Sequence, residues 1–385
     1  MKLTNKFLIG FMAIAACGCG QKQSDNPLLN DFTTPYGIAP FEEITIDNYR
    51  EGILLGMEEQ KAEIEAIINN PEEPTFQNTI VAMDQSGKLL RKVRGTFSPL
   101  TSSNSTEESR ALEKELSPLM SAHSDDINLN EKLFARVKKV YDNRENIKLT
   151  PEEKTVLENI YKRFVNSGAE LSETEKEKLR ELNQQLSMLE LTFSQNLLHE
   201  TNNTFVVANS LEELKGLPQA NIDAAAKMAA DNGQPGKWMF NMQRPSCNPV
   251  LQYCENRDLR KKVYDAYYNR GNTGNEYDSK EICRQLVTLR LEKAKLMGYN
   301  NYAEMVLEDR MAKTPEAVFE LLDQVWEPAV AKAKEELDDI RAEIRKEGKD
   351  FEPAGWDYMY YLDKAKRTKY SVDEQEIREY MEINN

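Results

Sequence analysis

The stretch Ser172-ETEKEKLRELNQQLSMLELTFSQNLL-His199 decides the fold class. Ser172 followed three positions later by Glu175 is a capping-box pattern, so a helix starts here. Leu179, Leu182, Leu186, Leu189, Phe193 and Leu197 then recur every three or four residues, the period of a helix with one buried face. The opposite face is charged or polar. The heptad-like run is short, which predicts a bundle helix packed inside its own domain rather than an intermolecular coiled coil.

Upstream, Tyr49, Ile53, Met57, Ile64, Ile67 and Ile68 mark one face of a helix over 46–69 that Asn70-Pro71 ends. A second helix is expected from Phe76 to about residue 99, with Ile80, Met83, Leu90 and Phe97 as its buried stripe. Residues 46–99 thus read as an antiparallel hairpin turning at Asn70 to Pro74. The Thr, Ser and Asn cluster over 101–106 reads as a loop. Helices follow near 107–123, 129–145 and 151–166, beside the capping residues Thr106, Asn128 and Thr150-Pro151.

After the long helix the pattern changes. Thr204 to Ala208 and Trp238 to Met242 concentrate β-branched and aromatic residues between turn signals and read as strands, joined by a short helix over Ala220 to Ala230. Helices resume over Pro249 to Tyr268, Ser279 to Met297, Asn301 to Leu307, Pro315 to Lys346, Asp357 to Tyr370 and Val372 to Met381. No repeat of fixed period is present, which disfavours a solenoid. The fold class expected is mainly α, with a small β element near 204–242.

The chain carries 17 Gly and 15 Pro among 385 residues, fewer turn-makers than average. Its 50 Lys and Arg face 65 Asp and Glu, a net charge of −15. That argues against a nucleic-acid binder, whose affinity comes from basic residues displacing phosphate counterions. At the start, Lys2 and Lys6 precede the apolar run Phe7 to Ala16, the size of a signal-peptide core and too short to span a bilayer. Ile14-Ala15-Ala16-Cys17 resembles the bacterial lipoprotein box, which implies cleavage after residue 16 and lipid on Cys17. A cut before Cys19 lacks the aliphatic residue and is disfavoured; a plain signal peptide cut nearby is the blander alternative. The expected localisation is the periplasm or cell envelope of a bacterium, with membrane attachment through Cys17. Loss of Lys2 and Lys6 leaves the remainder still more acidic, so lipid rather than charge would hold it there.

Five Cys stand at 17, 19, 247, 254 and 283, none in C-x-x-C spacing. Cys247 and Cys254 flank the start of an expected helix and could pair, but small buried thiols are the favoured reading. The only two His are His123 and His199. His199-Glu200 begins like His-Glu-x-x-His, yet the fifth position is Asn203, so the second imidazole that would clasp zinc is missing. His199 reads as a solvated or capping residue, and His123, beside Ser124-Asp125-Asp126, as a loop residue. Glu72-Glu73, Glu335-Glu336 and Asp338-Asp339 fall among Lys and Arg at helical spacing and read as solvated faces. No G-x-S-x-G, phosphate loop or dinucleotide fingerprint occurs, and Trp356-Asp-Tyr-Met-Tyr-Tyr361 has no basic stripe beside it. No catalytic or metal-binding residue is nominated, and the substrate-binding residues are left open.

Eight phrases in order resemble the thimet-oligopeptidase and peptidyl-dipeptidase family of zinc metallopeptidases, above all its bacterial peptidyl-dipeptidase branch. They are Asn26-Pro-Leu-Leu; Pro74-Thr-Phe-Gln-Asn-Thr-Ile80; Tyr161 to Ala169; Leu191 to Leu198; Arg257-Asp-Leu-Arg260 with Tyr267-Tyr-Asn-Arg-Gly271; Glu292 to Tyr299; Leu307 to Lys313; and Trp356 to Tyr361. The resemblance implies an elongated helical ellipsoid split by a deep channel. It also implies zinc as cofactor, held by two His of His-Glu-x-x-His and a later Glu, with the motif's Glu as general base. Short peptides would be the substrates, losing C-terminal dipeptides.

The sequence departs from that family where its zinc helix should follow, so the resemblance covers the amino-terminal portion only. The expected organisation is a signal peptide over 1–16, Cys17 and a tether over 17–31, and an N-terminal helical subdomain over 32–200. A β-containing insert over 201–248 follows, then the start of the catalytic-half helices over 249–385, cut before the zinc motif. This chain alone is expected to bind no zinc and hydrolyse nothing. The alternative is a noncatalytic exported lipoprotein that binds peptides or a protein partner. An exposed apolar wall would favour the first reading, a sealed polar face the second.

Overall fold

The computed structural model describes residues 24–371 and residue 380. The signal peptide, Cys17, Cys19 and nearly all of the helix expected over 372–381 lie outside the described residues. Contacts divide the described residues into two compact units: 24–116 with Asn130–Tyr161, and Ser117–Leu129 with 162–371. The protein is mainly α, with one two-stranded sheet among the described residues.

In the first unit α1 (Ile46–Ile68) starts at a capping box in which Thr45 Oγ1 accepts from Asn48 N and Asn48 Oδ1 accepts from Thr45 N. After a π turn over Phe76–Val81 and α2 (Ala82–Gln85), α3 (Lys88–Ser103) runs back along α1. Gly52 and Gly56 permit the close approach. A Cβ on Gly56 would stand 2.8 Å from Leu90 Cα, and one on Gly52 3.0 Å from Val93 Cγ2. Overpacking of this kind costs about 1–3 kcal/mol.

The hairpin differs from expectation in two places. Its second arm is broken at Ser86-Gly87, where Gly87 takes φ +68° and donates its N–H to Glu63 Oε2 at 2.7 Å. A left-handed turn is cheap only for glycine, so the helix restarts there. The arm then continues past Pro99 into the expected loop as far as Ser103, whose hydroxyl returns to Pro99 O at 2.6 Å.

The expected tether over 17–31 is corrected at its end. Asn26 is buried and donates from Nδ2 to Glu51 Oε2 at 2.9 Å and Asn48 O at 3.0 Å, while its Oδ1 accepts from Leu28 N at 3.0 Å. Leu28 is wholly buried, so the Asn26-Pro-Leu-Leu phrase is docked on α1 rather than hanging free. Further on, α4 (Glu107–Asn128) runs five residues past the expected end, and Asn130 rather than Asn128 caps α5 (Glu131–Asp142), accepting from Leu133 N at 3.0 Å. α6 (Pro151–Asn166) matches expectation and brings Tyr161 flat against Tyr141 of α5, ring centroids 3.8 Å apart.

In the second unit α7 (Glu173–Asn203) opens with the expected capping box, Glu175 Oε2 accepting from Ser172 N at 2.9 Å. Leu179, Leu182 and Leu186 are buried, whereas Leu189, Phe193 and Leu197 are only half-buried. β1 (Phe205–Ala208) and β2 (Trp238–Asn241) pair antiparallel with Val206 opposite Phe240, and α8 (Gln219–Asp231) connects them. Ala208, Leu214, Phe240, Met242, Cys247, Val250, Cys254, Leu259 and Val263 form one core beneath this sheet.

The helix expected over 249–268 is two helices, α9 (Arg244–Tyr253) and α10 (Arg257–Tyr268). The interruption is Asn256, whose Oδ1 accepts from Asp258 N and Leu259 N at 3.1 Å and so starts a new helix. α11 (Lys280–Leu296), α12 (Tyr302–Leu307), α13 (Pro315–Lys346) and α14 (Gly355–Tyr370) follow. Ile340 and Ile344 of α13 bury against Tyr360 and Tyr361 of α14. No helix among the described residues is long and apolar enough to cross a membrane.

Candidate functional site

The last turn of α7 presents His199 and Glu200, which begin like His-Glu-x-x-His but have Asn203 in place of the second His. Glu200 is buried and accepts from Thr273 Oγ1 at 2.5 Å, Asn275 Nδ2 at 2.9 Å and the Gly271 amide. Burial would raise its carboxyl, but these three donors outweigh it and hold the group below the ordinary carboxylate value. His199 stacks on Tyr277, ring centroids 3.7 Å apart. Asn203 donates to His199 O at 3.0 Å, so the position where the signature needs imidazole closes the helix end instead.

The segment from Asn269 to Ser279 is folded around that carboxylate. Ser279 N reaches Gly271 O at 2.8 Å, and Gly274 N reaches Asp278 Oδ2 at 2.8 Å. Asp278 is held down to about 2 by the Lys280 side chain and by the amides of Lys280 and Gly274. Arg270 donates from Nη1 to Thr201 Oγ1 at 2.7 Å and lies over the Tyr267 ring. The Tyr267-Tyr-Asn-Arg-Gly271 phrase is therefore the clasp that fixes this loop to α7.

A second cluster joins two other phrases. Asp357, wholly buried at the start of α14, accepts from Arg257 Nη2 at 2.7 Å and Arg260 Nη2 at 2.8 Å, and also caps its helix by accepting from Ala354 N at 3.0 Å. Arg260 is 1% exposed; it donates to Cys254 O at 2.8 Å and to Trp356 O at 3.1 Å, and its guanidinium covers the Tyr360 ring. Every hydrogen-bonding direction of this pair is turned inward, which is the arrangement of a structural tie.

The other nominated residues are dispersed. His123 lies within α4, not in a loop, and so does Asp125, whose Oδ1 accepts from Asn183 Nδ2 at 2.8 Å; Lys293 Nζ in turn reaches Asn183 Oδ1 at 2.7 Å. The polar run Ser124-Asp125-Asp126 does not end the helix as expected: α4 continues through it and turns Asp125 inward. Glu73 pairs with Lys139, Glu335 with Lys332, Asp338 with Arg341 and Asp339 with Lys369. Cys247 and Cys254 are buried free thiols, as favoured, raised by burial and directed at Met242 O and Glu213 O; Cys283 is free and exposed. Among the described residues no group of three or more His, Cys, Asp or Glu could hold a metal ion.

The first half of α13 is bare: every residue from 319 to 329 is exposed, including Phe319 at 62%, Leu322 at 54%, Val325 at 55% and Trp326 at 69%. Their spacing of three and four residues was available as a signal, but periodicity says only that a face is apolar, not whether anything covers it.

Residues 250–385 match the model of Peptidase family M3. The chain is 34% identical over 359 residues to the dipeptidyl carboxypeptidase of Escherichia coli K12, covering 93% of this chain and 53% of that protein. It is 33% identical over 361 residues to the dipeptidyl carboxypeptidase of Salmonella typhimurium, covering 94% of this chain and 53% of that one. With oligopeptidase A of Haemophilus influenzae it shares 30% over 363 residues, 93% of this chain and 52% of the relative. The chain thus spans about half the length of the curated relatives it matches.

Proposed function

Because the chain belongs to peptidase family M3, in its thimet-oligopeptidase and peptidyl-dipeptidase group, we propose that it forms part of a zinc-dependent peptidase that takes dipeptides from the carboxyl ends of short peptides. By itself it hydrolyses nothing in this reading. The observation that carries the proposal is 34% identity with a dipeptidyl carboxypeptidase over a region covering 93% of the chain. Two of the shared phrases are also structural: Arg257 and Arg260 of one meet Asp357 of another.

The described residues do not fit zinc, since no group of three or more possible ligands converges and Glu200 is engaged with the 269–279 loop. No step of hydrolysis is assigned to them. Their contribution is to hold helices and loops in place. The bare half of α13 supports the view that further polypeptide completes this fold, rather than the alternative of a self-contained binding lipoprotein with a sealed polar face.

We also propose export and lipid attachment at Cys17, on the strength of Phe7 to Ala16 and the Ile14-Ala15-Ala16-Cys17 box. Palmitate label that is retained in a Cys17→Ser variant would overturn that assignment.

The enzymatic proposal is tested by incubating the purified chain with zinc and an amino-blocked tetrapeptide. The incubation is repeated with the polypeptide matching the remaining length of the E. coli relative added. Dipeptide release is expected only in the mixture. Release by the chain alone would overturn its proposed inactivity. No release from either, with the intact E. coli protein active under the same conditions, would overturn the peptidase reading and leave peptide or partner binding.

A further inference from the structure

The ten residues from Phe32 to Phe41, FTTPYGIAPF, carry no charge in a chain that is 30% charged. They form a loop ahead of α1 that is fixed from below. Gly37 N reaches Thr34 O at 3.0 Å and Phe41 N reaches Ala39 O at 2.8 Å, Ala39 is buried, and the Lys92 ammonium lies 4.4 Å from the centroid of the Phe32 ring. Above that footing Tyr36 is 100% exposed, Ile38 55% and Phe41 47%. Tyr36 also takes φ +62°, a left-handed conformation that is unfavourable for a residue with a Cβ. Strain of this kind persists only where the surroundings impose it, and here it accompanies a large ring turned fully outward.

The loop starts where the chain leading back to Cys17 is pinned. Asn30 accepts from Ser24 N at 3.1 Å through Oδ1 and donates from Nδ2 to Ser24 O at 2.8 Å. Phe32 stands two positions after Asn30, and Cys17 seven before Ser24, so a lipid on Cys17 would lie within about 25 Å of these two hydrogen bonds. From this common origin of the lipid-bearing stretch and the uncharged loop we infer that Tyr36, Ile38 and Phe41 enter the interface of the membrane that the lipid brings alongside, as a second and weaker contact. A Tyr ring settles at headgroup level, and apolar neighbours bury at the acyl boundary beneath it. The charges around the loop select the lipid. Asp31 on one side and Glu42-Glu43 on the other are exposed, and Lys92 is engaged with Asn30 O and the Phe32 ring, so a zwitterionic surface is favoured over an anionic one. The inference rests on the proposed lipid attachment at Cys17 for the nearness of the membrane, and on the loop itself for the contact.

The test uses the full chain purified with its lipid and reconstituted into phosphatidylcholine vesicles, with Tyr36→Trp as the probe and the parent's own Trp emission as background. The change keeps an aromatic ring at the same exposed position, so circular dichroism should match the parent. Bromine on the acyl chains quenches indole that has entered the membrane. Tyr36→Trp should therefore add emission at short wavelength that brominated vesicles reduce by roughly half, with the parent changing less. Replacing part of the phosphatidylcholine by phosphatidylglycerol should weaken the quenching. Flotation with the vesicles but no added quenching in Tyr36→Trp would overturn the inference and leave the lipid attachment standing. A chain that carries no lipid and does not float would overturn the attachment, and the inference with it. A probe shielded from aqueous iodide yet untouched by bromine would mean that protein covers the loop, which also overturns the inference. Quenching that appears only with phosphatidylglycerol would overturn the choice of a zwitterionic surface.

Discussion

Arg260 Nη2 meets Asp357 Oδ1 at 2.8 Å across 97 positions of sequence, with the two side chains 1% and 0% exposed. The pair joins α10 to α14 and, through Cys254 O, the end of α9. Burying two charges is unfavourable unless each is met by its opposite and the remaining donors are satisfied. Here Arg257, Ala354 N, Trp356 O and the Tyr360 ring complete the set.

Removing one partner should therefore cost far more than the pair contributes. Asp357→Asn leaves the Arg260 guanidinium buried without its counter-charge, and a loss of about 3–5 kcal/mol is expected. Arg257→Gln touches a side chain that is 40% exposed, so its effect should stay nearer 1 kcal/mol. Urea denaturation of the two variants beside the parent reads the difference. Equal midpoints would mean that Asp357 is not the tie described.

Glu347 gives a pH dependence with a definite sign. Burial would raise its carboxyl, but Lys349, Lys364 and the Tyr361 hydroxyl outweigh it and hold it at about 2, against an ordinary value of 4.5. The folded value lies below the unfolded one, so the stabilisation is fully present above pH 4.5 and is lost as pH falls toward 2. Its size is on the order of 2 kcal/mol. The parent should lose that much between pH 5.5 and pH 2.5 in excess of Glu347→Gln, measured as the change in unfolding midpoint. Parallel pH profiles for the two proteins would refute the assignment.

Much of this fold was legible because local signals and tertiary packing agree. Ser172 and Glu175 announced α7, the helix expected from Pro315 to Lys346 is α13, and the residues around Val206 and Phe240 paired as strands. The misses have physical causes. Gly87 and Asn256 each split a continuous apolar period, because a left-handed turn and a side-chain cap act on the backbone without disturbing the hydrophobic pattern. Asn26 looked like part of a polar tether, yet its amide is paired on α1, and composition cannot distinguish a solvated polar side chain from a bonded one. The bare face of α13 was equally unreadable, since an apolar stripe carries no record of its neighbour.

The His199-Glu200 pair offers the sharpest test of what this chain's own residues do. In the structure Glu200 is a loop anchor, and three donors converge on it from the 269–279 segment. Glu200→Ala strands the Gly271 amide, the Thr273 hydroxyl and the Asn275 amide. It should cost about 2 kcal/mol and speed hydrogen exchange at Gly271 at least tenfold. His199→Ala removes only the stacking on Tyr277 and should cost under about 1 kcal/mol. Neither change should alter the zinc content of the purified chain, because neither side chain belongs to a cluster able to hold a metal ion. Stoichiometric zinc in the parent that both variants lose would mean that these two residues bind metal.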